Sequence, residues 1–72
     1  MQHPATVPAL GKVLSDLGEH QMVRHEAAEA LGAIGGEEAE RLLNSFRQDE
    51  VEAVKESCQV ALDTMSYWSA RA

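Results

Sequence analysis

The chain nearly repeats itself. A displacement of 31 lays Val23 on Val54, Arg24 on Lys55, Ala30 on Ala61 and Leu31 on Leu62, and one of 32 lays Leu10 on Leu42 and Leu14 on Phe46. A period of this length is that of a helical hairpin, too small to bury its own apolar face, so such units stack into solenoids. In each unit the second helix opens on Val followed by a basic residue, with Ala-Leu seven and eight positions on. The expected fold is therefore all-α: two antiparallel helical hairpins, repeat one over about 4–35 and repeat two over about 36–68, in a single domain spanning 1–72. Two units are fewer than the roughly three that such arrays need. The expectation is a piece of a longer array.

Apolar spacing and helix stop signals divide the chain into four helices. Val7, Leu10, Leu14 and Leu17 mark the first, from about Ala5 to Leu17, with Pro8 tolerated in the first turn and Gly18 as the stop. Val23, Ala27, Ala30, Leu31 and Ile34 form the stripe of the second, about Gln21 to Ile34, ended by Gly35-Gly36. Ala39, Leu42, Leu43 and Phe46 give the third, about Glu37 to Arg47, whose acidic start suits the helix dipole. Asp49 followed by Glu52 reads as a capping box opening a fourth helix, about Glu50 to Tyr67, that buries Val54, Cys58, Ala61, Leu62 and Met65. Met22 and Met65 read as gap fillers, and Tyr67-Trp68 as a cover over the open end of the last hairpin. If a hairpin is missing before Met1, Val7, Leu10 and Val13 should be exposed, and that face should self-associate or fray.

Charge and composition exclude several classes of partner. Six Lys+Arg stand against twelve Asp+Glu, a formal net charge of -6, and Phe46, Tyr67 and Trp68 are the only aromatics. Neither a phosphate backbone nor stacked bases would be held by such a surface, so nucleic acid is not an expected partner. No run approaches the ~20 apolar residues of a membrane span, and no secretory signal precedes the helices. Cys58 is a lone cysteine and cannot form an internal disulfide, so a reducing, cytoplasmic setting is expected.

His25 and Glu26 carry the chemistry that the repeat does not explain. At roughly 100° per residue His25 projects nearly opposite the apolar stripe and Glu26 lies on its flank. Ala28 and Gly32 beside His25 are small, leaving room for something to approach. A neutral imidazole and a carboxylate are metal ligands, but one adjacent pair cannot close a site. The competing reading is a solvent-facing His25 in a weak pair with Glu29, four residues on. The second repeat has Glu56-Ser57 at the corresponding positions, without a matching pair. His3 and His20, near helix starts, suit terminal or loop roles, and Cys58 on its stripe is an inert core thiol. No nucleophile–base arrangement and no phosphate-cradling glycine loop occurs.

The stretch Met22-Val23-Arg24-His25-Glu26-Ala27-Ala28-Glu29-Ala30-Leu31-Gly32-Ala33-Ile34 resembles the last metal-binding helix of the deoxyhypusine hydroxylase family. Gln2-His3-Pro4-Ala5-Thr6-Val7-Pro8-Ala9-Leu10 resembles the linker and helix that follow that family's preceding His-Glu helix, and Glu56-Ser57-Cys58-Gln59-Val60-Ala61-Leu62-Asp63 its C-terminal repeat. The resemblance implies a superhelix of HEAT-like hairpins in two halves, each carrying two His-Glu pairs around a non-haem di-iron centre that activates dioxygen. It implies a monooxygenase whose protein substrate is eukaryotic translation initiation factor 5A, hydroxylated on its deoxyhypusine side chain to hypusine. On that pattern His25 and Glu26 are iron ligands, with no catalytic residue beyond them, and Glu29 is at most a neighbour. The preceding pair of the same half would fall before Met1, so the chain corresponds to the C-terminal repeats and is not expected to assemble the di-iron centre or catalyse alone. The alternative is a non-catalytic HEAT-like scaffold or a bilin-lyase-like repeat protein.

Overall fold

The computed structural model describes residues 6–71, side chains to residue 68, as four α-helices joined by short links: α1 (Val7–Ser15), α2 (Gln21–Ile34), α3 (Glu37–Phe46) and α4 (Glu52–Arg71). The Thr6 hydroxyl caps α1 by accepting from the Ala9 N–H at 3.3 Å, with Pro8 in the first turn as expected. The helix stops at Ser15, short of the expected Leu17. The Asp16 carboxylate instead accepts from the Gly18 N–H two residues on, at 2.9 Å, and Leu17 is left exposed. The expected start at Ala5 lies outside the described residues.

His20 caps α2, its Nδ1 accepting from the Met22 N–H at 3.1 Å. Gly35 and Gly36, at φ of 74° and 92°, make the sharp link to α3 in backbone conformations that a side chain would strain. The expected capping box at Asp49 is absent. The Asp49 N–H already donates to the Phe46 carbonyl at 3.0 Å, so Glu52 cannot reach back to it; Glu52 faces Lys55 at 3.9 Å instead. Accordingly α4 begins at Glu52 rather than Glu50, and it continues past Tyr67 to Arg71.

Helix α2 is the centre of the molecule and packs against α1, α3 and α4. Its buried positions are Arg24, Ala27, Ala28 and Leu31, and those of α4 are Val54, Ser57, Cys58 and Ala61, the same spacing further along the chain. The stripe of α2 is thus rotated from the one expected: Ala28 is fully buried, while Ile34 is 47% exposed. The cause is α4, which fills the room expected beside Ala28 and Gly32. A Cβ on Gly32 would lie 2.9 Å from the Ala61 Cβ, so the two helices meet at a distance only glycine allows.

Leu14, Ala39 and Leu43 complete the core with these residues, and Val7, Leu10, Val13, Leu42, Phe46, Val51, Leu62 and Met65 pack against it. Val7, Leu10 and Val13 are therefore half-buried rather than laid open, because α1 folds its stripe onto α2 and α3. The large apolar side chains on the surface are Leu17, Met22, Ile34, Val60, Tyr67 and Trp68, so Met22 fills no gap. Tyr67 and Trp68 pack edge to face, ring centroids 5.3 Å apart. No described helix is long and apolar enough to cross a membrane.

Among the described residues one ion pair is buried, with side-chain exposures of 1% for Arg24 and 6% for Asp49. Arg24, 1% exposed, donates from Nε to the Leu14 carbonyl at 2.8 Å and from its two Nη atoms to the Asp49 carboxylate at 2.6 and 3.4 Å. It thereby ties the end of α1 and the α3–α4 link to α2. Burial alone would raise the Asp49 carboxyl, but the Arg24 hydrogen bond, the Val51 N–H and the Arg24 charge together hold it below the usual carboxylate range.

Candidate metal-ligating site

His25 lies on the α4-facing side of α2, one position behind Arg24, so the helix that sends a guanidinium into the core presents an imidazole to the neighbouring groove. The His25 side chain is 38% exposed. Its Nδ1 is hydrogen-bonded to Ser57 Oγ across the α2–α4 contact. Ser57 is buried, and its hydroxyl donates to the Ala53 carbonyl one turn back in α4 at 2.5 Å. The other ring nitrogen, Nε2, stands 3.7 Å from the exposed Glu29 carboxylate. The His25–Glu29 proximity expected from spacing is present, but it is long, exposed and weak. His25 is held by Ser57, not by Glu29.

Glu26 points away from the core and is exposed. No hydrogen bond or ion pair engages its carboxylate among the described residues. The imidazole edge opens on a hollow of about 680 Å³ between α2 and α4, whose walls include Ala33, Ala53, Val60 and Ala61, with Glu29 and Glu56 also lining it. Among the described residues no three His, Cys, Asp or Glu side chains converge as a metal site. His25 and Glu26 together offer one nitrogen and one carboxylate, part of a coordination sphere.

The other candidates fall in structural places. His20 is the α2 cap, and His3 lies outside the described residues. Burial pushes the Cys58 thiol up to about 11, with Asp49 adding to the rise and Arg24 opposing it, so Cys58 is a protonated core group. Ser57 is the site residue that periodicity passes over. Its signal was a small polar residue among Val54, Cys58 and Ala61 on a buried stripe, where a hydroxyl must find a partner.

Helical hairpins packed in this way define a class, and the comparison with known families agrees: the chain matches the HEAT repeats family over residues 1–63 and belongs to it. Within that class its relatives are deoxyhypusine hydroxylases. That of Danio rerio is 49% identical over 67 residues, 93% of this chain and 22% of the relative, and that of Schizosaccharomyces pombe is 56% identical over 64 residues, 89% and 20%. The solved structure of human deoxyhypusine hydroxylase in complex with glycerol matches with a TM-score of 0.82 at 44% identity, over 85% of this chain and 21% of that one. The resemblance and the all-α HEAT-like fold read from the sequence both hold. The chain spans about a fifth of the length of the curated relatives it matches.

Proposed function

We propose that this chain is part of a deoxyhypusine hydroxylase, an iron-dependent monooxygenase acting on the deoxyhypusine side chain of a translation initiation factor, and that His25 and Glu26 are one of its iron-ligand pairs. The observation that carries the reading is the placement of His25: its ring is tethered to Ser57 through Nδ1, while Nε2 has only the exposed Glu29 carboxylate near it, at 3.7 Å. The relatives' names supply the reaction class.

The donor set fits the metal. An imidazole nitrogen and a carboxylate suit a non-haem iron that keeps open positions. Bound iron supplies dioxygen activation; the residues of this chain hold and orient. Ser57 restrains the ring of His25, and the close α2–α4 contact at Gly32 and Ala61 keeps Ser57 in reach. The remaining ligands belong to the rest of a longer polypeptide, of which this chain supplies the C-terminal hairpins, the first ending near Gly35. By itself it provides too few donors to hydroxylate. The scaffold alternative has less support, since the relatives are named as hydroxylases. The same reading puts the protein in the cytoplasm with its substrate.

The test is made in the full-length polypeptide. His25→Ala and Glu26→Ala should each abolish hydroxylation and lower the iron bound per chain, with the helical circular dichroism unchanged. Full iron content and full activity in His25→Ala would overturn the assignment.

A further inference from the structure

Counting hydrogens at Ser57 decides which nitrogen of the neutral His25 ring carries the hydrogen. The Ser57 hydroxyl has one hydrogen and two close neighbours, the Ala53 carbonyl oxygen at 2.5 Å and His25 Nδ1. The carbonyl can only accept, and two oxygens so close without a hydrogen between them repel. The hydroxyl hydrogen is therefore committed to Ala53. The contact between Ser57 Oγ and His25 Nδ1 then needs its own hydrogen, and the ring must supply it. With the other tautomer, two acceptors would compete for one hydrogen, and one contact would set lone pair against lone pair. The Nε2–H of that tautomer would gain little in return, since Glu29 stands 3.7 Å away and is 69% exposed.

We infer that Ser57 is a positioning residue, which accepts from His25 Nδ1–H, fixes that tautomer and ring orientation, and so leaves the Nε2 lone pair as the ligating atom. The inference rests on the metal role proposed above for His25, and it adds which nitrogen binds and what holds it. Histidines that bind metals commonly donate their second ring N–H to an outer partner in this way. Here the partner comes from the next hairpin, so α4 serves the site through the Ser57 hydroxyl. The device is rigid because Ser57 is buried and because Ala61, one turn along the same face of α4, is seated against Gly32, two turns along the same face of α2.

The experiment is a long-range nitrogen–proton correlation spectrum of the His25 ring in this chain, at a pH where the ring is neutral. The expected pattern is a protonated Nδ1 and a pyridine-type Nε2. In Ser57→Ala the pattern should move toward the Nε2–H form that free imidazole side chains prefer, with helical circular dichroism unchanged. A wild-type ring protonated on Nε2, or a Ser57→Ala ring identical to wild type, overturns the role of Ser57 while leaving His25 free to be a ligand through the other nitrogen. In the full-length polypeptide Ser57→Ala should weaken iron retention by roughly 10- to 100-fold, and unchanged retention overturns the inference. Should His25→Ala keep its full iron content, the ligand assignment itself fails, whatever the tautomer.

Discussion

Arg24 carries a charge on the face of α2 that the structure buries, beside the apolar stripe read from the periodicity, and its effect on stability depends on Asp49. Removing one member of a buried pair leaves the other uncompensated, which costs about 3–5 kcal/mol. Arg24→Ala should lower the unfolding free energy obtained from urea melts by that amount. The pH dependence has a definite sign: the Asp49 carboxyl is held below its ordinary value in the folded state, so its contribution is complete above the ordinary aspartate range and is lost as pH falls through the lowered value. Melting curves at neutral pH and at about pH 3 should show wild type losing more stability than Asp49→Asn. Leu31, fully buried, makes a second contrast: Leu31→Ala should cost ~2–5 kcal/mol, whereas His25→Ala loses little more than one hydrogen bond, about 0.5–1.5 kcal/mol. Denaturant melts of the two variants check this. Leu31, Val54, Cys58 and Ala61 were legible because periodicity sorts by hydrophobicity. Arg24 and Ser57 were not: Arg24 is buried through a partner remote in sequence, Asp49, and the Ser57 hydroxyl is satisfied by the Ala53 carbonyl while its contact with His25 is made across 32 residues. The adjacency of His25 and Glu26 can be read from the sequence, but what holds the imidazole cannot.

Between elements, the α2–α4 contact is the one on which the site depends. Gly32→Ala should improve the intrinsic helix propensity of α2 by about 1 kcal/mol. It also places a methyl group against Ala61, which has no flexible side chain to move aside, and overpacking of that kind costs typically 1–3 kcal/mol. The net expectation is a lower melting temperature, together with loss of the protonated-Nδ1 signal of His25, since separating the helices draws Ser57 away. A raised melting temperature would show that the helices yield readily there. The bounds of α2 were readable because Gly35-Gly36 is an unambiguous stop. Those of α1 were not, because Asp16 ends the helix through its own side chain before the apolar spacing runs out at Leu17. The start of α4 was misplaced for a similar reason. Asp49 resembles a cap in sequence, but its N–H and carboxylate already serve Phe46, Val51 and Arg24.

Across the whole molecule, stability should follow how many neighbours each helix has. Helix α2 is packed on three sides, by α1, α3 and α4, whereas α1 contacts α2 and α3 without reaching α4. The far end of α4 extends beyond the packed region: Met65 still touches the core, but Tyr67 and Trp68 are 55% and 63% exposed. Local opening needs less free energy where less apolar surface must be uncovered. Hydrogen exchange on a dilute monomer should therefore find the amides of Ala27 to Leu31 slowest, and those of Val54 to Ala61 next. The amides of α1 and of the last turns of α4 should exchange first. The two hairpins are joined by the Arg24–Asp49 pair and by the Gly32–Ala61 contact, so the protected amides of α2 and α4 should respond together as denaturant is added. Protection in α1 equal to that in α2 would mean that α1 is not the edge of the packed unit. Separate denaturant dependences for α2 and α4 would mean that the hairpins open independently, and that Ser57 can leave His25 without global unfolding.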